Sequence, residues 1–144
     1  MPKRLNDIVV AKPAVANNAG SAPAPIVATK IDGTGYSRAR FIFQMGSAAS
    51  TGSLSTGLGV WQAATSGATF ALITGASAAA VTSGVLSGGA NNLVVIDVPI
   101  GSATPWLQLS GSMVATGPMY SGIVELYSGI NRPPTQAENQ IIVA

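Results

Sequence analysis

From Phe41 to Ile96, more than a third of this 144-residue sequence, no side chain is charged, and Ala, Gly, Ser, Thr and Val supply most of the stretch. Only 8% of the whole chain is charged, against roughly a quarter in an ordinary soluble domain. Its surface must therefore be built largely from small hydroxyls, glycines and methyl groups. Such a surface suits packing against other protein better than it suits chemistry on a substrate.

The length is that of one domain with a single core. A hydrophobic fraction of 47% and a mean hydropathy of +0.42 have a membrane-like look, but much of that comes from Ala. A membrane-spanning helix needs about 20 strongly apolar residues, and Ala68 to Ala90 is interrupted by Thr74, Gly75, Ser77, Thr82, Ser83, Gly84, Gly88 and Gly89. Near the N-terminus the apolar run Ile8 to Ala11 ends at Lys12 and Pro13, which is too short for a secretion signal. Neither a membrane partner nor a signal is expected. Cysteine and histidine are both absent, which removes thiolate and imidazole nucleophiles, bases and metal ligands. No cofactor or metal is expected, and no enzymatic activity.

Residues 1–25 hold Lys3, Arg4, Lys12, Pro13, Pro23 and Pro25 with Asn17, Asn18 and Gly20, and read as an extended arm. From 26 to 130, short apolar runs alternate with turn residues about every ten positions, the spacing of an antiparallel β-sandwich. Arg38–Met45 alternates with Phe41 and Phe43 toward a core. Leu58–Ala64 and Thr69–Thr74 read as a hairpin, and Asn92–Ile100 as a strand with Val94, Ile96, Val98 and Ile100 inward and Asp97 outward. Trp106–Leu109 and Met119–Tyr127 supply two more strands, with Val124 and Leu126 inward and Glu125 outward. Ser77–Val81 is the one helix candidate, opposed by Gly75, Gly84, Val81 and Thr82. Asn131-Arg132-Pro133-Pro134 stops the sheet, and residues 131–144 form a tail whose Ile141 and Ile142 can add a strand to a partner.

The five carboxylates are Asp7, Asp32, Asp97, Glu125 and Glu138. Asp97 and Glu125 fall outward on strands, where charges keep a sheet soluble; a catalytic pair there is the weaker alternative. Tyr36, Arg38 and Arg40 share a period of two, a face able to meet a partner's carboxylates, or phosphate. Lys3, Arg4 and Lys12 read as docking an acidic protein surface; at a net charge of +2, direct nucleic-acid binding is not expected. Gly33-Thr34-Gly35 lacks a third glycine and a following helix, so it reads as a turn. Trp61 and Trp106 are expected in the core, with sugar stacking as the alternative. So few charges also leave sheet edges open to indiscriminate pairing, which favours permanent assembly.

Four segments carry a resemblance: Ile31-Asp32-Gly33-Thr34-Gly35-Tyr36-Ser37 running into Ala39-Arg40-Phe41; Asn92 to Val98; Trp106-Leu107-Gln108-Leu109; and Ile123-Val124-Glu125-Leu126-Tyr127 before Arg132-Pro133-Pro134. In this order of strands and turns the chain resembles the cement, or decoration, proteins on the outside of tailed-bacteriophage heads, the jelly-roll type of Bordetella phage in particular. The resemblance implies an eight-stranded jelly roll, dimeric at two-fold positions, made in the host cytoplasm and bound to the outer surface of the virion, where it clamps major capsid proteins. Partner contacts are then expected at Lys3, Arg4, Lys12, Arg38, Arg40, Arg132, Ile141 and Ile142.

Overall fold

The computed structural model describes residues 9–18, 26, 28–45, 53–78, 92–114, 120–128 and 140–143. Their regular elements are strands β1 (Val9–Asn18), β2 (Ile31–Asp32), β3 (Arg38–Met45), β4 (Ser53–Ala63), β5 (Ala71–Ala78), β6 (Asn92–Pro99), β7 (Trp106–Val114), β8 (Tyr120–Tyr127) and β9 (Gln140–Val143). No described residue is helical; Ser77 and Ala78 of the helix candidate belong to β5, and its remainder lies outside the described residues.

The strands form two sheets, ordered β1-β8-β3-β6-β9 and β2-β7-β4-β5. Without β9 the order has a simple origin. The chain pairs with itself as an antiparallel ribbon, β1 with β8, β2 with β7, β3 with β6 and β4 with β5. Successive pairs fall in opposite sheets, which is the winding of an eight-stranded jelly roll. The expected strands are present, the β4–β5 hairpin included, with β4 and β7 running longer than the sequence pattern implied.

Alternation fixes which residues the two sheets bury against each other. From the five-stranded sheet come Ala39, Phe41, Phe43, Val94, Ile96, Val98, Tyr120, Val124 and Leu126; from the other come Ile31, Leu58, Val60, Ile73, Ala76, Leu107 and Leu109. Phe43 and Tyr120 meet with ring centroids 5.8 Å apart and planes tilted by 31°, a geometry that favours aromatic pairs.

Three of the four sheet edges among the described residues carry a device against foreign pairing. β2 has only two residues. β1 carries Lys12 and Pro13 and breaks register with β8 between Pro13 and Val15 and again between Val15 and Asn18. β5 pairs with β4 at Ser77 and at Leu72, but the register shifts between Gly59 and Trp61, and Gly75 takes a φ of 81°, a conformation glycine reaches without strain. Short strands, bulges, Pro and Lys all discourage pairing with foreign edges. At these three edges the chain itself supplies the protection; β9 is the fourth edge.

Two expectations change here. Val9–Asn18, read as part of an extended arm, is an edge strand paired along β8; Pro is tolerated at an edge because the outward N–H has no ladder partner to lose, and Lys there discourages foreign pairing. Gln140–Val143, read as a strand to lend to a partner, pairs in parallel with β6 of its own chain, placing Ile141 opposite Val95 and Ile142 opposite Ile96. Lys3, Arg4 and Arg132 lie outside the described residues.

Phe41 sits fully buried at the centre of the core. Phe41→Ala is expected to cost about 3–5 kcal/mol, read as a lower urea midpoint at unchanged slope.

Candidate interaction surfaces

Side chains that alternate with the core of β3, β6 and β8 occupy the outer face of the five-stranded sheet, and the registers arrange them in rows. Glu125, Arg40 and Asp97 form one row. Tyr127, Arg38 and Pro99 form the next. Asp97 does point away from the core, as the alternation predicts, but it is not a solvated charge: Asp97 is 5% exposed and Arg40 6%.

Arg38 Nε donates to Asp97 Oδ1 at 2.8 Å and to the Tyr127 hydroxyl at 3.2 Å, while Arg38 Nη2 reaches the Asp97 carbonyl oxygen at 3.4 Å. The Tyr127 hydroxyl in turn donates to Asp97 Oδ2 at 2.6 Å. Both carboxylate oxygens thus accept, which is how a buried carboxylate is made tolerable. Burial, then the hydrogen bond to the Asp97 carboxylate, raise the pKa of Tyr127 above the ordinary tyrosine value. Burial opposes the charge on Arg38, but its bonds to Asp97 and Tyr127 outweigh that and hold it above the ordinary range.

Arg38 is thus engaged within the chain, with its side chain left part-exposed. Tyr36 departs from the face, packing against the core from the turn before β3. Asp97 and Glu125 do share a row, but Arg40 stands between them, and two inter-strand steps separate their Cα atoms by about 10 Å. Lys12 is half-buried on β1, and its Nζ donates to the Asp32 carbonyl oxygen at 3.4 Å, linking the two sheets.

Beside the charged row lies an apolar one. Pro13, Ile123, Ile42 and Val95 follow one another across β1, β8, β3 and β6, with Ile141 of β9 in register. Ile123 is 44% exposed.

The outer face of the four-stranded sheet is different in kind. Trp61 and Trp106, expected in the core, are only half-buried, because Val60, Leu107 and Leu109 take the inward positions. Trp61 pairs with Gln108 and Ala63 with Trp106, which makes the two indoles diagonal neighbours on one face. Leu72, 42% exposed, pairs with Trp61 from β5. Lys30 Nζ lies 5.4 Å from the Phe70 ring centroid and donates to the Ser66 carbonyl oxygen at 2.7 Å. Tyr120, by contrast, is in the core. The period of two through Val60-Trp61 and through Trp106-Leu107-Gln108-Leu109 carries this placement and overrides the general tendency of Trp to be buried.

At one end of the sandwich the turn 33–37 and the β6–β7 connection enclose a cleft of about 430 Å³, lined by Gly33, Thr34, Gly35, Tyr36, Ser37, Ile100, Gly101, Ser102 and Pro105. Tyr36 N–H donates to the Gly33 carbonyl at 3.0 Å, and Gly35 takes a φ of 87°, as the third position of a type II turn requires. Asp32 Oδ1 accepts from the Thr34 hydroxyl at 2.6 Å and the Thr34 N–H at 2.9 Å. These two bonds, hydroxyl first, and then Lys12 hold the Asp32 pKa below the usual carboxylate range. Among the described residues no three His, Cys, Asp or Glu side chains cluster as metal ligands.

Asp97→Asn removes the charge and leaves only one acceptor oxygen for two donors, and is expected to cost about 1.5–3 kcal/mol, measured by urea unfolding. Tyr127 gives a pH test. Its pKa is raised in the folded chain, so the unfolded chain releases that proton first: the contribution is intact below the ordinary value of 10.0 and is lost as pH rises beyond it. Tyr127→Phe is expected to flatten this alkaline fall in the thermal midpoint.

The sequence matches no protein-family model and no curated protein. A solved structure of infectious bursal disease virus Gx strain is similar to this chain at 15% identity and a TM-score of 0.45, over 87% of this chain and 33% of that one, so the chain spans about a third of the length of that neighbour.

Proposed function

We propose that this chain is a structural cement protein of a tailed-phage head, which binds the outside of the shell and bridges neighbouring major capsid subunits through the two outer faces of its sandwich. The observation that carries the proposal is the placement of exposed apolar groups on opposite sheets, Leu72 beside Trp61 on one and Ile123 beside Ile42 on the other. A protein with one such patch attaches; a protein with two on opposite faces joins two neighbours. The strand pattern that resembles jelly-roll cement proteins supports the phage setting.

The surroundings of the two patches agree with the same role. Around Leu72 and Trp61 the neighbours are uncharged, so that face can approach a partner without stranding charges in the interface, while the row of Glu125, Arg40 and Asp97 borders the Ile123 patch as a polar rim. Aromatic anchors such as Trp61 and Trp106 are the residue types that dominate binding energy in interfaces. Repetition over a symmetric shell then adds many modest contacts. Terminal residues outside the described segments, Lys3, Arg4 and Arg132 among them, are further contacts in this proposal. Removing Met1 to Ala24 is not a clean test, since it deletes β1 along with the rest.

Co-sedimentation with emptied, expanded phage heads stripped of the protein is expected to saturate at a fixed number of copies per capsid subunit. Leu72→Lys and Ile123→Lys are each expected to weaken binding by about tenfold or more, with the thermal midpoint nearly unmoved because both side chains are exposed. Absence of saturable binding by the folded protein, or binding indifferent to both substitutions, rules the bridging role out.

A further inference from the structure

We infer that the cleft at the loop end of the sandwich is a binding site for a neutral saccharide. Its volume of about 430 Å³ falls within the range of small-ligand sites, about 300–1,000 Å³, and its lining contains no charged side chain. Tyr36, Ile100 and Pro105 supply apolar surface; Thr34, Ser37 and Ser102 supply hydroxyls. Apolar surface beside hydroxyls, with charge excluded, complements a sugar ring, which has C–H faces and a hydroxylated rim. An anionic ligand would find no cation in this lining to meet it.

The hydroxyls are also set in useful states. Thr34 donates its proton to Asp32 Oδ1 and Ser37 donates its proton to the Tyr127 carbonyl oxygen at 3.3 Å, so both are left with lone pairs to accept from a ligand hydroxyl. Neither the Tyr36 nor the Ser102 side chain is bonded to another described residue, which leaves them able to donate as well as accept.

Both walls are fixed before any ligand arrives. Gly33 N–H donates to the Pro105 carbonyl at 3.0 Å, Ile100 N–H to the Ser37 carbonyl at 2.9 Å and Thr104 N–H to the Gly101 carbonyl at 3.0 Å. The Ser128 hydroxyl adds a bond to the Gly35 carbonyl at 3.3 Å. Binding to such a site involves little loop ordering, which lowers the cost of binding. The site is separate from the two outer faces invoked for capsid bridging, so either assignment can fail without the other.

The test is an amide NMR titration of the full chain with maltose, cellobiose, lactose and N,N′-diacetylchitobiose, and with glucuronic acid as a charged control. Saturable shifts are expected for at least one neutral probe at Gly33, Gly35, Gly101 and Ser102, with glucuronic acid weaker. Tyr36→Ala is expected to reduce the affinity about tenfold or more. Tyr36 also packs on the core, so Ser102→Trp provides a second variant: Ser102 is exposed, and an indole there fills the mouth and abolishes the shifts while leaving the remaining spectrum in place. The inference is overturned if no neutral probe shifts these amides saturably, if the shifts survive Ser102→Trp, or if they gather at the Trp61 and Trp106 indoles instead.

Discussion

The unbroken pairing of β3 with β6 on one side and β8 on the other is what the rest of the molecule hangs on. All eight residues from Arg38 to Met45 have a partner in both neighbours. Because side chains alternate along a strand, that one register does two jobs: it sends Ala39, Phe41 and Phe43 into the core with Val94, Ile96, Val98, Val124 and Leu126, and it lines up Arg38 and Arg40 with Asp97, Glu125 and Tyr127 outside. A slip by one residue would bury two guanidinium groups between the sheets and expose both phenylalanines. The polar knot of Arg38, Asp97 and Tyr127 thus works against misregistration as well as contributing energy, since its bonds of 2.6 to 2.8 Å form in a single alignment.

Charge scarcity imposes the second constraint. A sandwich normally keeps its edges from aggregating by displaying charges there, and this chain has few to spend. It places most of the described charges on the outer face of one sheet and protects three of its four edges by geometry: a two-residue β2, an irregular β1 and a β5 interrupted at Gly75. What remains exposed is selective. Leu72 and Ile123 are the large hydrophobic residues left open among the described residues, and they belong to opposite sheets.

Much of this was legible in the sequence because jelly-roll strands announce themselves by alternation. Phe41, Phe43, Val94, Ile96 and Val98 could be assigned inward from period two alone, and all are buried. Edge strands were harder. Val9–Asn18 mixes Lys and Pro with small residues, and at a sheet edge such residues are compatible with pairing, so composition does not separate an arm from an outer strand. The parallel addition of Gln140–Val143 to β6 was equally hidden, since a short apolar end does not say whose edge it completes. For the surfaces, sequence spacing showed that Arg38 and Arg40 share a face but not that Asp97 and Tyr127 meet Arg38 there, a contact that spans 59 and 89 residues of chain. The tryptophans lie outward because alternation with the buried Val60, Leu107 and Leu109 sets their side, where residue type alone points to the core.

In the proposed role, a sandwich whose two outer faces differ, one with a charged row beside an apolar row and one with two diagonal indoles, touches two unlike surfaces at once. That is the central claim, and a cryo-electron microscopy reconstruction of expanded heads saturated with the protein tests it most directly. The account predicts density for each copy spanning two capsid subunits, with the Leu72–Trp61 face on one and the Ile42–Ile123 face on the other. Density attached to a single subunit through one face, with the opposite face open to solvent, would contradict it.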